Sequence, residues 1–190
     1  MSKKRTSRSK YAILGFLASK PRSGYDIKKA IEKSIGFFWS ESYGQIYPIL
    51  KQLAAAGLAE KLPQDKNAAR QTQIYAITDL GREHLQSWIR ESPDYGGVRN
   101  EVLLKLFFGD QCDVETSVNH LKNYISHQKI LHETFKGFKS TIPQKAITDI
   151  GPLTYMFATL HHGIMITKLN MDWAKDTILL LQGKNSKMLK

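Results

Sequence analysis

A mainly α fold with one small β-hairpin, in two parts, is what this sequence predicts, and three observations predict it. Apolar residues recur at helical spacing, as at Ile46, Ile49, Leu50 and Leu53, the i, i+3, i+4, i+7 positions of one buried helix face. Only two runs have strand character, residues 58–62 and 72–77, with turn formers between them. The one convincing linker is Ser92-Pro93-Asp94-Tyr95-Gly96-Gly97, which divides residues 1–92 from residues 93–190.

In the first part, Tyr11, Leu14 and Leu17 mark a helix that stops at Lys20-Pro21-Arg22. Ser23-Gly24-Tyr25-Asp26 is a capping box opening a second helix, with Ile27, Ala30, Ile31 and Ile35 as its stripe and Gly36 at its end. Phe37, Phe38 and Trp39 follow, and packing between helices is their expected role. Ser42 and Gln45 form a second capping box. Pro48 costs a helix interior one hydrogen bond and clashes with the carbonyl four residues back, which belongs to the permissive Gly44. The spacing therefore predicts a bent helix over about 42–56, ended by Gly57; a helix beginning at Pro48 is the alternative. Beyond the two strands, Thr78 caps a helix from Asp79 to about Glu91, expected to be buried through Leu85, Trp88 and Ile89. Three helices, a hairpin and a helix in that order make a winged helix-turn-helix, with the second and third helices as the motif and the hairpin loop as the wing.

The second part reads as all helical, over about 98–109, 113–137 and 152–181. The middle helix offers Val114, Val118, Leu121 and Ile125. The last begins at Pro152, a favoured first position, and carries a near-heptad stripe of Leu153, Phe157, Leu160, Ile164, Thr167, Met171, Ala174 and Ile178. Leu153, Phe157, Leu160, Ile164, Met171 and Ile178 are the candidate dimerisation residues. A second face carries Met156, Met165, Leu169 and Trp173. One face can pack inside its own subunit, and a partner chain is the simplest cover for the other.

The formal charge is +11, unevenly placed: residues 1–90 hold 16 Lys and Arg against 7 Asp and Glu, and the remainder 12 against 10. A basic first half favours a polyanion, because each neutralised phosphate releases condensed counterions. The single Cys112 argues for a reducing compartment. No run approaches the roughly 20 apolar residues of a membrane span, and the basic start MSKKRTSRSK lacks the apolar run of a signal peptide. A cytoplasmic location is the expectation, with the N-terminal arm resting on phosphate backbone.

No Walker loop, dinucleotide fingerprint or nucleophile elbow occurs. His132-Glu133 lacks the second histidine of a zinc helix, and His161-His162 point about 100° apart on a helix. No catalytic residue, metal or cofactor is assigned. Double-stranded DNA gives the residues roles instead, since a recognition helix puts its N-terminal side chains at base edges in the major groove. Ser42, Tyr43, Gln45, Tyr47, Pro48 and Lys51 form that face. Glutamine can bind adenine bidentately and tyrosine hydroxyls reach phosphate. The wing offers Lys66, Asn67 and Arg70.

These residues resemble a known family. Tyr11, Leu14, Gly15 and Leu17; Ser23 to Ile27; Phe38 and Trp39; and Ser42, Gly44 to Pro48, Leu50, Leu53, Gly57 and Leu58 together are similar to the PadR family of bacterial transcriptional regulators. Tyr75, Ile77, Thr78, Gly81, Arg82 and Trp88 continue the match, as does the run from Val98 to Phe108. The resemblance implies a homodimeric winged-helix repressor of an inverted repeat, dimerising through its C-terminal helices and, in some members, released by phenolic acids. The family's wing carries basic residues just before the Tyr-x-Ile-Thr strand, where this chain has Gln71, Thr72 and Gln73. For a small aromatic effector between the two parts, Tyr11, Tyr124, His127, His161 and Trp173 are the candidate lining, each pairing a ring with a polar tip. A protein-interaction adaptor using the winged-helix surface is the alternative function.

Overall fold

The computed structural model describes residues 8–63, 72–95, 99–143, 145–148 and 150–184. Two compact units divide the chain, Met1–Tyr95 and Gly96–Lys190. Among the described residues no helix is long and apolar enough to cross a membrane.

The first unit contains α1 (Ser9–Ser19), β1 (Arg22–Ser23), α2 (Gly24–Lys33), α3 (Tyr43–Ala55), β2 (Ala59–Lys61), β3 (Ile74–Ile77) and α4 (Asp79–Arg90). The sheet is antiparallel in the order β1-β3-β2, with Arg22 opposite Tyr75 and Glu60 opposite Ala76. Strand β1 is absent from the sequence expectation, because two residues show no alternation and Ser23 reads as a cap. It is both. Its hydroxyl accepts from the Asp26 N–H at 3.0 Å, while its own N–H donates to the Asp26 carboxylate at 3.2 Å.

Leu14 and Leu17 of α1, Ile27 and Ile31 of α2, and Ile46, Leu50 and Leu53 of α3 are buried together with Ala59 and Tyr75. Helix α3 runs through Pro48 from an N-cap at Ser42. It ends where Leu58 N–H reaches back to Leu53 carbonyl (2.9 Å) and Gly57 N–H to Ala54 carbonyl (3.1 Å), with Gly57 at φ 69°, the paired bonds of a Schellman motif. Three expectations need correcting. Ile89 is exposed, because α4 turns Gly81, Leu85 and Trp88 toward the core and Ile89 lies a further 100° round the helix. Phe38 is exposed and Phe37 and Trp39 only half-buried, so the aromatic run is not core. In the second unit Val114 is exposed, since it is the first residue of its helix.

That second unit contains α5 (Glu101–Phe107), α6 (Val114–Ser140), the short α7 (Lys145–Thr148) and α8 (Pro152–Leu181), with a 3-10 turn at Gly109–Gln111. Helix α5 is shorter than expected because Asn100 caps it, accepting from Val102 N–H at 3.0 Å. Helices α6 and α8 lie antiparallel, and polar pairs set their register. Asn170 donates to Gln128 (3.3 Å), His132 Nδ1 meets the Thr167 hydroxyl (2.9 Å), and the Tyr124 and Trp173 rings meet edge to face.

Gly81 is where α4 touches the sheet. A Cβ there would lie 2.0 Å from the Leu58 carbonyl oxygen and 2.9 Å from Ile77 Cγ1. Gly81→Ala is therefore expected to lower stability by about 3 kcal/mol, the upper range for overpacking against a rigid neighbour, measured as a fall in the urea midpoint.

Candidate nucleic-acid interface

The apolar residues of α3 determine what its other side presents. With Ile46, Ile49, Leu50 and Leu53 buried, Ser42, Tyr43, Gln45, Tyr47, Pro48 and Lys51 are all exposed. The structure thus brings the six candidates of this helix onto one surface. No carboxylate pairs with Lys51 among the described residues, so its charge is open to a phosphate. Lys66, Asn67 and Arg70 of the wing, and the first seven residues of the N-terminal arm, lie outside the described residues.

One feature of this surface bears out the capping box read from the sequence, and a second was not apparent there. Gln45 already has a partner, since its Oε1 accepts from both the backbone N–H and the hydroxyl of Ser42, each at 2.9 Å. A bidentate adenine contact needs that oxygen, so reading a base with Gln45 requires opening the cap. Tyr25 joins the face from α2, its ring stacked on Tyr43 at 6.2 Å with Lys29 Nζ 5.7 Å from its centre. Only the shared exposure of the two tyrosines reveals the pair, and sequence spacing within one helix cannot.

Tyr47 is held by an absence. Its ring lies over Gly24, where an added Cβ would fall 2.7 Å from Tyr47 Cε1. At the base of the wing the Gln73 amide donates to the carbonyls of Leu62 (3.0 Å) and Ile74 (2.9 Å). The residue standing where the family's wing carries basic side chains is therefore a clasp on the hairpin. Asp26 is held below the usual carboxylate range, chiefly by the Ser23 hydroxyl and further by the Ser23 N–H, Arg22 and Lys20.

The effector candidates divide between the two units. Tyr11 is buried in the first unit, stacked on Trp88 at 4.4 Å and on His84 at 5.6 Å. Tyr124 and Trp173 touch in the second unit, with exposed His127 one turn along α6. His161 stacks on Phe157 at 5.9 Å, about 18 Å along α8 from Trp173 at 1.5 Å per residue. Of the dimerisation candidates, Leu160 is buried within the unit, Phe157, Ile164, Met171 and Ile178 are half-buried and Leu153 is exposed. Leu160 shares a face with Gly163, Thr167, Ala174 and Thr177, the buried side of α8. Met156, Met165 and Leu169 are exposed. Among the described residues no group of three His, Cys, Asp or Glu could hold a metal.

A helix with an exposed ring-and-amide face, set on a winged helix-turn-helix core, defines a DNA-binding class of protein. Comparison with known proteins agrees. Residues 13–87 match the Transcriptional regulator PadR-like family, and residues 98–182 match Virulence activator alpha C-term. The Negative transcriptional regulator PadR of Bacillus subtilis is 28% identical over 160 residues, covering 84% of this chain and 86% of that protein. The crystal structure of Bacillus subtilis PadR in complex with operator DNA has a TM-score of 0.79 at 25% identity, covering 91% of this chain and 98% of the other. Its complex with p-coumaric acid shares the fold, with a TM-score of 0.73 at 24% identity over 95% of this chain and 99% of the other. The chain thus carries a PadR-like transcriptional regulator domain followed by a segment of the virulence activator C-terminal type, and it is homologous to the Bacillus subtilis regulator.

The close approach of Gly24 and Tyr47 makes a test. Gly24→Ala is expected to push the Tyr47 ring aside, since a flexible ring yields before backbone does. The melting temperature should move little, while affinity for a duplex of the protein's own upstream region should fall about tenfold, the effect of losing one good contact worth roughly 1–3 kcal/mol. Anisotropy and thermal melting measured together check both halves.

Proposed function

We propose that this regulator is a homodimeric repressor. It places α3 of each protomer in successive major grooves of an inverted repeat and is released by a small aromatic acid. The observation that carries the reading is the division of α3 into a wholly buried apolar side and a wholly exposed side of Tyr43, Gln45, Tyr47, Pro48 and Lys51. In the major groove they supply phosphate contacts from the tyrosines and Lys51, and a base contact from Gln45 once its cap opens. The exposed Ser42, with Lys66, Asn67 and Arg70 of the wing, extends the same contact.

Two heads must sit about 34 Å apart to meet successive major grooves, which requires a dimer. The exposed Met165 and Leu169, one turn apart on α8, support a second copy as the cover for that face. The negative regulator and the operator and p-coumaric acid complexes of Bacillus subtilis PadR support repression, an operator and a phenolic effector. In the second unit the Tyr124–Trp173 pair, with His127 nearby, is the ring cluster suited to such a ligand. The ligand shifts binding only by its different affinity for the two head spacings.

Tyr47→Ala is expected to abolish retention of the upstream duplex in a gel shift while light scattering still reports a dimer. Operator affinity unchanged by this substitution would remove α3 from the contact. Weak binding of the wild type, indifferent to sequence at physiological salt, would favour the adaptor.

A further inference from the structure

The first unit has a second charged feature that α3 does not use. An open cleft of about 410 Å³ lies where the α1–α2 turn meets α2, lined by Lys20, Pro21, Arg22, Asp26, Lys29, Ala30 and Lys33. Four cations thus share one hollow with one carboxylate. That carboxylate is already engaged, since the Asp26 Oδ2 accepts from the Ser23 hydroxyl at 2.6 Å and from the Ser23 N–H at 3.2 Å. Arg22 is aimed by its own bonds, Nε donating to the Phe16 carbonyl and Nη2 to the Ser19 hydroxyl. Lys29 makes only a long pair to Glu32, at 3.8 Å, while Glu32 sits closer to Lys28 at 3.1 Å. Lys20 and Lys33 have no ion-pair partner among the described residues. Like charges gathered in this way repel one another, and a polyanion relieves the repulsion.

From the cleft as a phosphate site, we infer that it grips the phosphodiester backbone of the same duplex whose groove takes α3. This rests on the reading of α3 as the groove-entering helix. Continuity argues for that occupant. Lys29, on the cleft wall, stands over the Tyr25 ring, Tyr25 stacks on Tyr43, and Tyr43 is the first residue of α3. A chain of contacts thus joins the cleft to the helix. The lining argues against an aromatic effector, because no ring lines the cleft and its apolar part is Pro21 and Ala30 alone. Contacts of this kind fix register and orientation and carry no sequence information.

The test uses the full chain and anisotropy on two labelled duplexes, its own upstream region and a scrambled version, at several salt concentrations. Each phosphate-neutralising lysine contributes about 0.9 to the slope of log affinity against log salt. The triple variant Lys20→Gln, Lys29→Gln, Lys33→Gln is expected to flatten that slope by about 2–3 per head, with the operator-to-scrambled ratio unchanged. Arg90→Gln, a charge removed from the exposed end of α4, serves as the control and should leave the slope nearly as it was. Tyr47→Ala, measured alongside, separates the two readings. If it abolishes operator preference while the triple variant keeps the wild-type slope, the cleft is off the duplex and α3 remains on it. An equal loss of slope in Arg90→Gln would also overturn the inference, because general charge would then explain the effect. So would saturable heat on titrating inorganic phosphate into the wild type, lost in the triple variant, with the slope on DNA unaltered. The cleft would then be a site for a free small anion.

Discussion

The burial of one side of α3 is the constraint on which the rest of the first unit depends. Fully burying an Ile or Leu is worth roughly 1.5–3 kcal/mol, and α3 places four such residues against α1 and α2. No rotation of the helix preserves that burial and also hides Tyr43, Tyr47 and Lys51. The exposed face is thus fixed by the packing of the opposite one. The cap at Ser42 and the Schellman bonds at Gly57 fix the length of helix presented, and Gly81 lets α4 press close enough to hold the hairpin beside it.

Small residues do much of this positioning. Gly81 admits the Leu58 carbonyl, and Gly24 admits the Tyr47 ring. In the second unit the same role passes to polar pairs. Gln128 with Asn170 and His132 with Thr167 tie α6 to α8 at spacings of about one turn. A slip by one turn would leave the buried Gln128 side-chain oxygen without its Asn170 donor, a loss of about 1–3 kcal/mol. These pairs therefore specify register where an apolar stripe alone would tolerate sliding.

Much of the first unit was legible from residues 9–90. The period of Ile46, Ile49, Leu50 and Leu53 gave α3, and the Ser23 and Ser42 boxes located the starts of two helices to within a residue. What failed did so for physical reasons. Strand β1 is too short to show a period. Ile89 looked buried because periodicity gives a stripe but not its edge, which the Gly81 approach sets. The stacking of Tyr25 on Tyr43 and the cleft beside α2 both arise between elements. The stripe of α8 could be drawn from sequence, Thr167 included, yet its register on α6 involves Gln128 and Asn170, polar residues that a search for apolar periods passes over. The occupied Oε1 of Gln45 shows the same limit, because one side chain was read both as a cap and as a base reader, and only the geometry shows the cap holding both lone pairs.

Hydrogen exchange on the full chain tests the central claim most directly, that the exposed face of α3 is the surface that meets DNA. The first N–H groups of a helix lack intrahelical acceptors, so those of Tyr43 and Gly44 exchange readily in the free protein and report on whatever covers them. Adding a duplex of the protein's own upstream region is expected to slow exchange across residues 42–51, with a scrambled duplex at physiological salt having little effect. Exchange in that segment that stays at its free rate while the duplex is bound elsewhere would contradict the account.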